Sequence, residues 1–253
     1  MQKHIERITP TKDNLEQFFK EFPDHKQRYD FAINFLNKDM DVADIACGVG
    51  YGSFLMSQYC KSVKGFDISD EAITHAKKEF KMDNIAFYNC PCNDIVNYSF
   101  DFICSFETIE HMDEESGDLF LLKILKSLKP KGRLLISTPI NKSKIKTNLT
   151  PYHIREYDDI EFKQKLIKNG FTIIQMFDQG DSKYYNKLYG KNILNFSMFD
   201  IMRTGIHLIF PKFIRQIIKN LYFGKMKRLD DLKITEHNWN NQGVQIALCE
   251  YSP

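Results

Sequence analysis

The sequence predicts a doubly wound α/β fold with a mostly parallel, seven-stranded sheet. Short apolar runs alternate with amphipathic segments of roughly 10 to 15 residues, as in strands joined by crossover helices. The first apolar run ends in a cluster of glycines, and a helix-like segment follows it. Because ligands in such sheets bind beyond the carboxyl ends of the parallel strands, the residues that follow each strand are the candidate functional residues.

The individual elements follow from periodicity and from their boundary residues. Ser69 or Asp70 is a good N-cap for the second core helix, Pro130 and Gly132 should stop the fourth, and Gly170 should end the last. The predicted strands occupy residues 41–47, 62–68, 85–89, 100–106, 133–138, 171–177 and 244–251. The predicted helices occupy residues 11–38, 51–60, 70–80, 113–128 and 158–170.

These elements divide the chain into four parts. They are an N-terminal helical cap, an α/β core, a helical insertion and the final core strand, at residues 1–40, 41–178, 179–240 and 241–253. Within the insertion, residues 199–228 are basic and aromatic, and Pro211 divides them into two helical pieces. A basic amphipathic pair of this kind is typical of a lid, a dimer contact or a peripheral membrane contact.

The most informative motif is the glycine turn D-I-A-C-G-V-G-Y-G, which runs from Asp44 to Gly52. Glycines let the backbone approach a ligand closely and adopt positive φ values. Ser53 stands where a dinucleotide fingerprint has its third glycine. Asp44 would repel a pyrophosphate and would suit the ammonium group of a bound amino acid. Asp67, at the end of the second strand, can accept hydrogen bonds from both ribose hydroxyls.

Together with RYDFA, FDFICSFETIEHM, LKPKGRLLISTP and TPYHIREYDDIEFKQKLIKNGF, this pattern resembles the class I S-adenosylmethionine-dependent methyltransferases. Within them it resembles a bacterial branch associated with capsule and lipopolysaccharide biosynthesis. The resemblance implies the Rossmann-like methyltransferase fold and S-adenosylmethionine as the cofactor. The cofactor-binding residues that it implies are Asp44, Ala46, Cys47, Gly48, Gly50, Tyr51, Asp67, Ile68, Cys92, Asn93 and Ser105.

One segment departs from the family pattern. The family commonly has a glycine, an acid and an alanine after the third strand, and the acid takes the adenine amino group. This chain has Cys90, Pro91 and Cys92 there. The backbone N–H of Cys92 can still contact adenine, and Asn93 or Asp94 is the candidate replacement for the acid.

The catalytic candidates follow the fourth and fifth strands. A sulfonium methyl group is already electrophilic, so alignment of the acceptor is the main requirement. A hydroxyl acceptor also needs a base, for which His111 and His153 are the alternatives and Tyr152 is a further candidate. Arg155 can clamp a carboxylate or phosphate of the acceptor, or it can form an ion pair with a neighbour such as Glu156.

A metal site is a second interpretation of the same residues. Glu107, Glu110 and His111, with His153, resemble the divalent-metal site of small-RNA 2′-hydroxyl methyltransferases and of some quinone-pathway O-methyltransferases. Two carboxylates and neutral imidazoles can bind Mg²⁺ or Mn²⁺. The motif also occurs in relatives for which no metal is assumed. A metal is therefore left open and is not expected.

We expect methyl transfer to an oxygen of a small, polar, anionic acceptor, with a sugar nucleotide or capsule precursor favoured by family analogy. N- or C-methylation, RNA methylation and non-catalytic cofactor binding are the alternatives. The net charge of +2 argues against bulk nucleic-acid binding. The sequence shows no apolar run of ~20 residues and no secretory signal, so no transmembrane span is expected. Its six cysteines lie mostly in apolar runs, which favours the reducing cytoplasm.

Overall fold

A computed structural model describes residues 9–90, 95, 99–141, 152–180, 234–236 and 243–251 of the chain. Eight strands form one sheet in the order β3-β2-β1-β4-β5-β8-β6-β7. Their bounds are β1 Asp41–Ile45, β2 Ser62–Asp67, β3 Ile85–Asn89, β4 Phe100–Phe106, β5 Leu128–Pro139, β6 Thr172–Gly180, β7 Ile234–Glu236 and β8 Gly243–Glu250.

The doubly wound, mostly parallel sheet is confirmed. Strands β3, β2, β1, β4 and β5 pair in parallel, and β8 lies antiparallel between β5 and β6. The short strand β7 adds an eighth member by pairing antiparallel with β6, within the segment that was predicted as a helical insertion. The carboxyl ends of β1, β2, β4 and β5 therefore meet at one edge, where the candidate residues were predicted.

The helices of the described residues are α1 Leu15–Glu21, α2 Pro23–Ile33, α3 Tyr51–Ser57, α4 Asp70–Glu79, α5 Glu114–Ser127 and α6 Asp159–Lys168. Side-chain caps fix several helix starts. Ser69 caps α4 by accepting the N–H of Ala72, and Asp158 caps α6 in a reciprocal capping box with Glu161. Gly170 follows α6 with a φ of 90°, as predicted for a C-terminal cap.

Two of the predicted elements have the wrong extent. The helix expected over residues 11–38 is two helices, because the chain turns at Phe22 (φ −126°, ψ 65°) and Pro23 opens the second helix. Proline suits a first helical position, where the missing N–H costs no hydrogen bond. Strand β5 starts at Leu128, five residues before the predicted position 133, and so contains Pro130 and Gly132.

Apolar layers cover both faces of the sheet, as the alternation of side chains along a strand requires. In β1, Val42 belongs to the layer under α2 and α3, whereas Ala43 belongs to the layer under α5 and α6. Every helix among the described residues is too short or too polar to span a bilayer. The predicted lid, dimer or membrane contact at 199–228 lies outside the described residues.

Candidate active site

The glycine turn between β1 and α3 is held in backbone conformations that side chains disfavour. Ala46, Gly48 and Gly50 have φ values of 61°, 55° and 89°. A Cβ at Gly50 would lie 2.7 Å from the Cβ of Ala76, so packing requires glycine there. A Cβ at Gly48 would meet nothing within 4 Å. The turn therefore packs closely at Gly50 and presents open space at Gly48, where a ligand can approach the backbone.

Asp44 lies buried beneath this turn, with 1% of its surface exposed. Its carboxylate accepts hydrogen bonds from the hydroxyl of Ser53 at 2.7 Å, the hydroxyl of Tyr29 at 3.3 Å and the thiol of Cys104 at 3.4 Å. Burial raises the pKa of Asp44 to about 6, because these three donors are neutral and stabilise the charge incompletely. A cation such as an ammonium group would stabilise the charged form of Asp44 further.

Asp67 joins the glycine turn to the start of α4. One carboxylate oxygen accepts the N–H of Gly48 at 2.9 Å, and the other accepts the N–H of Ser69 at 2.9 Å. A carboxylate oxygen has two acceptor positions, so Asp67 can also receive ribose hydroxyls. The neighbouring Ile68 is 72% exposed, which suits contact with the flat face of a base.

Other predicted cofactor residues line or support the same region. Cys47 is buried, and its N–H donates to the carbonyl of Phe66 at 3.0 Å. The hydroxyl of Tyr51 lies 2.7 Å from Nδ1 of His25. The Ser105 hydroxyl is buried and has no hydrogen-bond partner among the described residues. Cys92 and Asn93 lie outside the described residues.

These features fit S-adenosylmethionine. The buried carboxylate of Asp44 suits the ammonium group of the methionine portion, and Asp67 suits the ribose. The open space at Gly48 lets the cofactor lie close to the backbone of the turn. The fit rests on charge and space together, which distinguishes this turn from one that binds a pyrophosphate.

The residues that were predicted to contact the methyl acceptor follow β4 and β5, and we call this region the acceptor edge. Glu107 adopts a φ of 52°, an uncommon conformation for a residue with a side chain, and its carboxylate accepts the hydroxyl of Ser137 at 2.7 Å. Glu110 is fully buried and accepts the hydroxyl of Thr138 at 2.9 Å. Its backbone carbonyl accepts the N–H of Arg155 at 3.0 Å. Glu110 thus ties the segment after β4 to the segment that carries the predicted catalytic residues.

Burial, and then the nearby charge of Glu107, raise the pKa of Glu110 well above its ordinary value. One of its carboxylate oxygens has no hydrogen-bond partner among the described residues. Glu110, His111 and His153 each have a ligating atom within 4.8 Å of the others, so these three could hold a cation. Glu107 does not belong to this group, which leaves three of the four predicted metal ligands together.

The structure brings His111 and His153 together, with ring centroids 5.2 Å apart. Nδ1 of His111 lies 3.1 Å from the backbone carbonyl of Tyr152, and Nδ1 of His153 lies 2.5 Å from a carboxylate oxygen of Glu156. Carbonyl and carboxylate oxygens only accept, so the neutral form of either ring carries its proton at Nδ1. Nε2 is then the basic nitrogen of each imidazole.

The remaining catalytic candidates lie at the rim. Tyr152 is exposed. The guanidinium of Arg155 pairs with the carboxylate of Glu114 and lies 5.1 Å from the ring centroid of Tyr157. The ion pair that was weighed against an acceptor clamp is therefore present, with Glu114 as the partner in place of Glu156.

The sequence predicted no role in catalysis or cofactor binding for two residues of the site, Glu156 and Arg28. Glu156 was named only as a partner for Arg155, although its spacing of three residues from His153 is compatible with a pair. Arg28 is buried on α2 with 6% of its surface exposed, and it donates to the side chain of Gln179 at 2.7 Å. Arg28 opens the RYDFA motif, but its burial could not be predicted from the sequence, because the burial depends on contacts between α2 and β6.

Comparisons with known proteins agree on the family. A family model described as a methyltransferase domain matches residues 36–192. The chain is 28% identical over 137 residues to a probable S-adenosylmethionine-dependent methyltransferase of Mycolicibacterium smegmatis, covering 53% of this chain and 52% of that protein. The chain spans about half the length of the curated relatives that it matches.

Relatives with a described acceptor differ in the atom that they methylate. A malonyl-acyl-carrier-protein O-methyltransferase of Priestia megaterium is 29% identical over 150 residues, which cover 49% of this chain and 52% of that protein. A phosphoethanolamine N-methyltransferase of Plasmodium falciparum is 28% identical over 152 residues, which cover 58% of this chain and 52% of that protein. The solved structure of a TehB-like methyltransferase from Corynebacterium glutamicum shares the fold, with a TM-score of 0.57 and 14% identity. The match covers 95% of this chain and 97% of that one.

Proposed function

Because this chain belongs to the class I S-adenosylmethionine-dependent methyltransferases, we propose that it methylates a hydroxyl oxygen of a small, polar, anionic acceptor. A sugar nucleotide or another precursor of capsule or lipopolysaccharide is the acceptor class that the sequence resemblance favours. Free, buried thiols such as those of Cys47 and Cys104 suit a reducing compartment, and we place the protein in the cytoplasm.

The observation that carries oxygen as the target is the pair formed by His153 and Glu156. The carboxylate of Glu156 is buried and lies 2.5 Å from Nδ1 of His153, which keeps Nε2 as the basic nitrogen. A hydroxyl acceptor needs such a base, since its own pKa lies far above 7. A neutral amine attacks through a lone pair that it already has. An oriented imidazole at the acceptor edge therefore favours a hydroxyl.

The two halves of the site have separate tasks. Bound S-adenosylmethionine supplies an electrophilic methyl group on a sulfonium. Asp44 and Asp67 hold the donor from the ends of β1 and β2. The base is one of the two imidazoles of His111 and His153, which lie in the segments that follow β4 and β5, and it accepts the hydroxyl proton at Nε2. Neighbouring strand ends thus align donor and acceptor, and alignment is the main contribution that an enzyme makes to methyl transfer.

The anionic character of the acceptor is proposed from the family resemblance. Arg155, the predicted clamp, already pairs with Glu114 and would have to exchange that partner for an acceptor anion. The side chain of Arg155 is 36% exposed, so such an exchange needs no unfolding of the rim.

A screen of matched acceptors tests the proposal. The protein is incubated with S-adenosylmethionine and pooled nucleotide sugars, and formation of S-adenosylhomocysteine is measured. Sugars that carry a hydroxyl should react, and their analogues with an amino group at the same carbon should react more slowly. Preferential methylation of the amino analogues would contradict O-methylation and would support the N-methyl alternative that the Plasmodium falciparum relative raises.

A further inference from the structure

A group of aromatic rings lies against the glycine turn and the end of β4. The ring of Tyr29, on α2, makes T-shaped contacts with the rings of Phe106 and Tyr51, at centroid distances of 5.2 and 5.7 Å. Tyr29 is buried, whereas Phe106 and Tyr51 are partly exposed. Because the contact with Tyr29 fixes the plane of its ring, Phe106 presents an oriented aromatic surface at the carboxyl edge of the sheet.

Phe106 lies between the two halves of the site. Asp44 of β1 is paired in register with Cys104 of β4. Side chains alternate between the two faces of a strand, so Phe106 lies on the same face as Cys104 and closer to the carboxyl edge. In the sheet, β4 stands between β1, which carries Asp44, and β5, which precedes His153. A methyl group that passes from donor to acceptor therefore crosses the end of β4, where Phe106 lies.

The contacts assigned above to the methyl donor are also available to the product. S-adenosylmethionine carries a positively charged sulfonium, and S-adenosylhomocysteine, which remains after transfer, carries a neutral thioether. Both have the ammonium that suits Asp44 and the ribose that suits Asp67. A preference for the donor therefore needs a group beside the sulfur. Since only three carbons separate the sulfur from the ammonium, the sulfur must lie close to Asp44 and within reach of the end of β4.

We propose that the ring of Phe106 binds the sulfonium through a cation–π contact, which makes the protein prefer S-adenosylmethionine to S-adenosylhomocysteine. The face of an aromatic ring is negative and attracts a cation, most strongly where water is excluded. A neutral thioether gains no such attraction, so the product is held less tightly. Tyr29 is a positioning residue, because its ring contacts Phe106 and its hydroxyl donates to Asp44 at 3.3 Å. The inference rests on the proposed function, in which S-adenosylmethionine is the methyl donor.

Calorimetry with the two ligands, in the absence of an acceptor, tests this assignment. Phe106→Leu keeps an apolar side chain and removes the ring. The affinity for S-adenosylmethionine should fall about 2- to 30-fold more than the affinity for S-adenosylhomocysteine, the range expected for a cation–π contact. Phe35→Leu is the matched control, because Phe35 is also partly buried in the layer under α2 and α3 but stacks on Phe102, farther from the carboxyl edge. The control should leave the ratio of the two affinities unchanged.

Fluorinated phenylalanines in place of Phe106 separate charge from shape, and they decide the question if Phe106→Leu does not fold. Fluorine withdraws electron density from the ring face and changes the size of the ring little. Each added fluorine should therefore lower the affinity for S-adenosylmethionine and leave that for S-adenosylhomocysteine constant. Equal weakening for both ligands in Phe106→Leu, or an affinity for S-adenosylmethionine that does not change along the fluorinated series, would overturn the proposal. Failure of the wild-type protein to bind either ligand would instead refute the methyltransferase function itself.

Discussion

Asp44→Asn should stabilise the ligand-free protein and weaken cofactor binding. The asparagine oxygen can accept hydrogen bonds from the hydroxyl of Tyr29 and the thiol of Cys104, which both contact the same carboxylate oxygen of Asp44. On the other side, the hydroxyl of Ser53 can rotate and accept from the amide nitrogen. The substitution therefore keeps the hydrogen bonds and removes a buried negative charge.

The magnitude follows from the pKa of Asp44. Burial raises it from 3.8 to about 6, and each pKa unit corresponds to 1.36 kcal/mol, so the charged form costs about 3 kcal/mol of stability at neutral pH. Between pH 3.8 and about 6 the folded protein binds the proton more tightly than the unfolded chain does. The wild type therefore loses stability as the pH rises through this window, and the variant does not. The difference in the free energy of unfolding between variant and wild type reaches its maximum above pH 6 and vanishes well below pH 3.8.

Urea denaturation of the ligand-free wild type and variant at pH 7.5 and at pH 4 measures this difference. The free energy of unfolding of Asp44→Asn should be higher by up to about 3 kcal/mol at pH 7.5 and by less than about 1 kcal/mol at pH 4. Asp101→Asn is the control. It removes a carboxylate that pairs with Lys129 near the surface, and it should cost at most about 1 kcal/mol. A variant at Asp44 that is less stable than the wild type at pH 7.5 would refute the reasoning.

Three further predictions concern ligand binding and turnover. Asp67→Ala should lose about 1.5–3 kcal/mol of affinity for S-adenosylhomocysteine in calorimetry, and an unchanged affinity in the folded variant would reject the ribose contact. Replacing the true base among His111 and His153 by alanine should lower kcat about 10²–10⁴-fold with little change in S-adenosylhomocysteine affinity. Wild-type kcat in both variants would exclude base catalysis by histidine. Activity should survive exhaustive chelation, and a loss that Mg²⁺ or Mn²⁺ restores would instead assign a metal to the imidazole pair.

The order of strands and helices was predictable because it rests on local periodicity. The run D-V-A-D-I forms β1, and Ser69 caps α4, since both signals lie within a few neighbouring residues. The break between α1 and α2 was missed although Pro23 marks it, because the apolar spacing continues across Phe22. Strand β7 was missed because three residues at a sheet edge carry no periodic pattern of their own.

Residues of the candidate site could be predicted only where they belong to a recognisable sequence motif. Asp44 and Asp67 follow from the glycine turn and from the strand that comes next. Arg28 and Glu156 depend on which residues the fold brings beside them, namely Gln179 on β6 and His153 on the loop before α6. Burial of a charged side chain is a property of the tertiary structure, so its effect on function becomes visible only there.

The most direct test of O-methyl transfer is to identify the atom that receives the methyl group. The acceptor that reacts in the screen is incubated with S-adenosylmethionine labelled with carbon-13 in the methyl group, and the product is examined by nuclear magnetic resonance. We predict a labelled methyl group with the chemical shift and couplings of a methoxy carbon, formed in equal amount with S-adenosylhomocysteine. A label attached to nitrogen or carbon, or cofactor binding with no transfer to any hydroxyl, would contradict the proposed function.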